Sequence, residues 1–135
     1  MRDRAKSLKR ILDVQRHMHN LEELKFARLK QKVSLCQGEQ RALAEALSDE
    51  GALHGLFLDV TVRRLKSLRQ EESRLAPEVE AQAKVVVEHG GRMRNSERLA
   101  AELAVEVRRV DEREELEQLL EAGLAQKNAS PEQDR

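Results

Sequence analysis

LKRILDVQRHMHNLEELKFARLKQKVSLCQGEQRALAEAL, residues 8–47, decides the fold, because its apolar side chains recur three and four residues apart. That spacing gathers them on one face of a helix and of no strand. Ile11, Val14, Met18 and Leu21 make one stripe, and Phe26, Leu29, Val33, Cys36, Leu43 and Leu47 make a second, interrupted only by Gln40. From Met18 through Leu21 and Lys25 to Leu29 the steps are three, four and four, an eleven-residue repeat that predicts one stutter in a coiled-coil helix. Asp3 or Ser7 is suited to cap its start. The helix is expected over about residues 3–47, a rod of roughly 60–70 Å at about 1.5 Å per residue.

The rest of the chain reads as a partner for that helix. Ser48, Asp49, Glu50 and Gly51 compete with helical hydrogen bonding or free the backbone, so a turn and tip are expected over 48–59. From Leu65 the seam runs through Leu68, Glu72, Leu75, Val79, Gln82, Val86 and His89 to Met93, then Ser96, Ala100, Leu103, Val107 and Val110, without a change of phase. This predicts a second helix over about 60–126 and a disordered polar tail at 127–135. Pro77 cannot donate to the carbonyl of Ser73, so a kink is expected there. Gly90-Gly91 weakens the helix by about 1 kcal/mol per glycine relative to alanine. Met93 resumes the seam in register, which favours a hinge at the glycine pair over a reversing loop and a third helix. If the turn lies near residue 50, residues 8–47 pair with roughly 53–93 and the remainder overhangs. With the tip set aside, the overhang shortens by about ten residues.

Composition narrows the possibilities further. The chain has 135 residues, 37% charged and 39% hydrophobic, and Phe26 and Phe57 are its only aromatics. A thick globular core is therefore not expected, and long paired helices are. Twenty-five basic residues balance twenty-five acidic ones, which argues against bulk attraction to nucleic acid or anionic lipid. The balance is uneven along the chain. Residues 1–32 hold ten Lys or Arg against four acids, whereas 111–135 hold eight acids against three bases. Opposite charge at the two termini favours bringing them together. No apolar run approaches the roughly 20 residues needed to span a bilayer, and no signal-peptide core opens the chain, so a cytoplasmic protein is expected.

Little in the sequence carries chemistry. His17 and His19 lie two apart, about 200° around a helix, whereas a chelating pair needs i, i+4 spacing, so a solvated pair is expected. Cys36 is the single cysteine and sits on the seam as a small apolar filler. Gly90-Gly91 follows a helix and lacks the ending of a phosphate loop. Runs such as Glu114, Glu115 and Glu117 read as a solvated face. No catalytic, cofactor or metal site is assigned, and a non-enzymatic protein is expected.

Two places instead suit protein partners. The basic first turns, with Arg4, Lys9 and Arg10 foremost, lack interleaved aromatics for base stacking and fit an acidic protein surface better than nucleic acid. At the tip, Leu53, Leu56, Phe57 and Leu58 crowd beside a turn that two helices cannot cover. Phe57 is the expected anchor, unless it folds back on Leu43 or Leu47 to close the seam.

KSLKRILDVQR at 6–16, continuing as LEELKFARL at 21–29, resembles the opening of the FliJ/YscO family, the stalk proteins of flagellar and virulence type III export ATPases. The resemblance implies an antiparallel two-helix coiled coil whose joined termini enter the pore of a hexameric export ATPase. Its far end would contact the membrane-embedded export gate or export chaperones. It implies a protein peripheral to the export apparatus at the inner membrane. The chain departs from the family pattern in a first helix shorter than the second and in carrying Pro77. A homo-oligomeric structural coiled coil without an ATPase partner is the alternative.

Overall fold

The computed structural model describes residues 2–49 and 56–129, and the side chains of Leu56 and Ala129 lie outside that description. Two helices account for these residues: α1, Arg2–Ser48, and α2, Leu56–Ala129. The fold is the expected all-α, antiparallel two-helix hairpin. α1 matches its expected span to within a residue at each end. Asp3 lies inside its first turn, where a carboxylate favours the positive end of the helix dipole, and so is not the cap. At the other end the Ser48 hydroxyl donates to the Glu45 carbonyl at 2.9 Å. The expected turn itself falls outside the described residues.

α2 departs from expectation at both ends. It starts at Leu56 rather than near 60, and helix continues through Lys127 and Asn128 to Ala129, into the stretch expected to be disordered. It also runs unbroken through Pro77 and the glycine pair, so the reversing loop and third helix do not form. Ser73 and Pro77 are both exposed, which leaves the unpaired Ser73 carbonyl open to water. Neither Gly90 nor Gly91 has a positive φ.

The chain divides into two compact units, Gln15–Arg92 and a second formed by Met1–Val14 with Met93–Arg135. In the 15–92 unit the best-packed layer is Cys36, Leu68 and Leu75, with Leu29, Val33 and Leu43 against it. Burial pushes the Cys36 thiol up, reinforced by Glu71, Glu72 and Glu39, which keeps it protonated and a poor nucleophile. In the other unit Leu12 is buried on α1, and Ser96 on α2. Ala5 and Leu8 are half-buried, as are Ala100, Leu103, Val107 and Val110.

The buried and half-buried positions of α2 follow the expected seam from Leu65 to Val110. Those of α1 do not. Apart from Ala46 beside Leu47, they fall at 5, 8, 12, 15, 19, 22, 26, 29, 33, 36, 40, 43 and 47, an alternation of three and four with no stutter. Gln15, His19 and Glu22 thus take seam positions, while Ile11, Val14, Met18 and Leu21 are 44–58% exposed. The physical reason lies in the partner: α2 keeps one phase throughout, and a stutter in one strand alone would carry the two seams apart.

The polar seam residues meet polar residues. The Gln82 amide donates to the Glu22 carbonyl at 3.0 Å and to its Oε2 at 2.6 Å. Those hydrogen bonds to the charged form hold the Glu22 carboxyl below its ordinary value, against the opposing effect of burial. Towards the tip, the amides of Gln37 and Gln40 donate to the two oxygens of Glu72 at 3.0 and 2.7 Å and hold that carboxyl low as well. His19 corrects the expectation of a solvated pair. Its ring is mostly covered, pairs through Nε2 with Glu23 at 2.9 Å, and lies over Gly90, where a Cβ would come within 3.2 Å of Cε1. Glycine fits there without strain, whereas a Cβ would press on the His19 ring and require it to give by a few tenths of an ångström.

Candidate protein-interaction surfaces

Of the two regions singled out in the sequence, the terminal one is set by the pairing of α1 residues 2–14 with α2. The Arg2 guanidinium pairs with Asp111, and Val110 and Asp111 are the last positions of α2 with any cover. The start of α1 is thereby brought to the beginning of the acidic stretch at Asp111, while the rest of that stretch overhangs, and the overhang is the shorter of the two anticipated. Arg4, Lys9 and Arg10 are exposed and make no ion pair with any described residue. At about 100° per residue they stand roughly 100–140° from one another, so they ring the α1 end and do not form one patch. The seam residue Leu8 falls between Arg4 and Lys9 on this wheel.

Beside them a groove of about 410 Å³ runs between α1 and α2, with Leu8, Ile11, Leu99 and Leu103 along its floor and Arg4, Glu102 and Glu106 at its rim. Sequence reasoning missed this groove. Ile11 was assigned to the seam, and only the position of α2 shows that it flanks the seam instead.

At the tip, Leu53 lies outside the described residues, and of Leu56 only its place at the start of α2 is described. Phe57 is 69% exposed and so does not fold back to close the seam. Leu58 and Val60 are exposed beside it. Thr61 is buried, and its hydroxyl donates to the Phe57 carbonyl at 2.7 Å, which leaves the first turn of α2 hydrogen-bonded while its apolar side chains face outward. Arg63 and Asp59 pair across one turn at 3.2 Å.

No three His, Cys, Asp or Glu residues cluster to hold a metal among the described residues, and no described helix is long and apolar enough to cross a membrane. What these surfaces offer chemically is recognition: a ring of unpaired cations beside an apolar groove at one place, an exposed aromatic with aliphatic neighbours at the other. Comparison with family models, with curated proteins and with solved structures gives no match to this chain.

Proposed function

We propose that the protein is a non-enzymatic coiled-coil stalk or adaptor of a bacterial flagellar or type III export apparatus, in the cytoplasm and peripheral to the membrane. The observation that carries this reading is the ring of Arg4, Lys9 and Arg10 around the α1 end, each exposed and without an ion partner among the described residues. Cations spread around a helix engage a partner that surrounds it better than one that lies against one side. The pore of a hexameric ATPase with acidic walls has that form. Such charges contribute little to folding when exposed, yet they govern docking to an oppositely charged surface. The resemblance of residues 6–29 to the FliJ/YscO opening supports the same partner. Phe57 and Leu58 form the second contact, towards the export gate or export chaperones, because an exposed aromatic beside aliphatic side chains is the usual anchor of a protein interface.

Co-purification with the cognate export ATPase tests the reading. The full chain is expected to be retained, and the triple variant Arg4→Glu, Lys9→Glu, Arg10→Glu to be lost at physiological salt with unchanged helical content. Equal retention of the triple variant removes the basic end from the mechanism. Phe57→Ala is expected to shift unfolding by less than about 0.5 kcal/mol while abolishing export or gate binding. A loss of several kcal/mol would make Phe57 a packing residue.

A further inference from the structure

Beyond Asp111, α2 runs on past the start of α1, with Glu114 still beside Arg2, and every described side chain from Glu112 to Asn128 is exposed. Four of them are leucines: Leu116, Leu119, Leu120 and Leu124 are 57–70% exposed. At about 100° per residue they occupy an arc of roughly 140°, with Glu115 on one flank and Glu117 and Glu121 on the other. This is the pattern of a helix built to lay an apolar face on something, and among the described residues nothing covers it.

The complementary surface lies in the same unit. Ile11 and Val14 are 50% and 58% exposed on α1, next to the groove floored by Leu8, Leu99 and Leu103. On the helical wheel Arg4 falls in line with Ile11, and Lys6 and Arg10 flank the stripe on the side away from α2. One surface is apolar with an acidic border, and the other is apolar with a basic border.

We propose that these are the two halves of one isologous interface, in which a second copy of this chain lays its residues 112–129 along α1 residues 4–14 of the first and receives the first copy's overhang in return. The complementary borders make a second copy the fitting occupant, and the pairing of Arg2 with Asp111 sets the level at which the two ends meet. Because α1 and α2 run antiparallel there, a two-fold axis at the chain ends sets each overhang parallel to the other copy's α1, beginning beside its N-terminus. In that register Leu119, Leu120 and Leu124 come level with Ile11 and Val14. Their acidic borders come level with Lys6, Arg10 and the positive end of the α1 dipole. Glu102 and Glu106 at the far rim of the groove repel the acidic overhang and so steer it to the α1 side. A two-fold contact covers both stripes at once and leaves neither exposed, which an open head-to-tail array does not.

The inference does not rest on the stalk reading, and its test uses the full chain alone, without any ATPase, so the two fail separately. Sedimentation equilibrium across a concentration series is expected to show a monomer–dimer equilibrium that weakens as salt is raised. Leu119→Gln with Leu120→Gln is expected to weaken the dimer at least about tenfold with no loss of helical signal, since both side chains are exposed in the single chain. Lys6→Glu with Arg10→Glu is expected to weaken it too, and adding Glu117→Lys with Glu121→Lys to restore it. A single-chain mass at every concentration would overturn the proposal, as would a dimer indifferent to the leucine changes. Charge-reversed chains that fail to recover dimerisation would overturn the pairing of the overhang with α1. A monomer that binds some other protein through Leu119 and Leu120 would give the stripe to that partner instead.

Discussion

Two layers of the 15–92 unit share the same three-and-four spacing and carry opposite chemistry. Around Cys36, Leu68 and Leu75 the seam is dry but for Glu72, which lies between the two leucines and is held by Gln37 and Gln40, and both leucines are only 1% exposed. Around Gln15, His19 and Glu22 the seam is polar: Gln82 feeds two hydrogen bonds to Glu22, while Gln15 Oε1 and His19 Nδ1 are buried without a hydrogen-bond partner among the described residues. The dry layer contributes stability through burial and fits many registers equally well. The polar layer contributes less, because desolvation offsets much of each hydrogen bond. It does discriminate, since a slip of one heptad would strand Glu22 without its amide donor. A single polar seam position is known to fix register at a cost in stability, and this chain uses several.

The comparison breaks most visibly in the dry layer. Leu68→Ala or Leu75→Ala is expected to cost about 2–5 kcal/mol in chemical denaturation, the range for emptying a buried leucine site. In the single chain, at concentrations too low for self-association, the same truncation at Ile11 or Val14 should stay within about 0.5 kcal/mol, because half or more of each side chain is exposed there. Equal losses at the two kinds of site would put Ile11 and Val14 back on the seam.

A smaller effect comes from the polar layer, and it depends on pH. The Glu22 and Glu72 carboxyls are held below the ordinary glutamate range by the amides that donate to them. The unfolded chain therefore binds more protons than the folded one in the acid range. Their contribution is complete above about pH 4.5 and is lost as pH falls through the lowered folded values. Gln82→Leu is expected to lower the melting temperature at pH 7, because it leaves the Glu22 carboxylate with Lys25 alone, and to flatten the acid limb of the stability curve. Glu22→Leu with Gln82→Leu should regain the lost stability, since two apolar side chains then meet. An unchanged acid limb in Gln82→Leu would show that the amide does not hold the Glu22 carboxyl down.

The smallest expected effect lies at the glycine pair, where two neighbours differ in what surrounds them. Gly91 has open space beside it, so Gly91→Ala is expected to stabilise by about 0.4–1 kcal/mol through lost freedom of the unfolded chain. Gly90→Ala carries the same gain but drives its Cβ to 3.2 Å from the His19 ring, which Glu23 holds in place. It should therefore stabilise less than Gly91→Ala or destabilise, and the gap should close in a His19→Ala background. Thermal unfolding of the four chains reads this directly.

Much of the fold was legible because α2 advertises it. Leu65 to Val110 keeps one phase through Pro77 and Gly90-Gly91, and the structure places its cover on those same positions. The basic end was legible as composition, and Phe57 as an apolar residue beside a turn. The groove at Ile11 and Leu99 and the role of Gly90 were not, because each depends on what the other helix brings alongside.

By itself, then, the sequence determined that two helices form, where the first of them ends, and which face of α2 is the seam, since periodicity and turn residues act locally. The seam of α1 between Leu8 and Phe26 was decided by the tertiary structure. Hydrophobicity alone selects Ile11, Val14, Met18 and Leu21 for burial; packing against a partner of unbroken phase selects Leu12, Gln15, His19 and Glu22. A helix can turn only one face to its neighbour, and here the unbroken alternation of α2 outweighs the local preference of α1, so the apolar stripe is left in solvent.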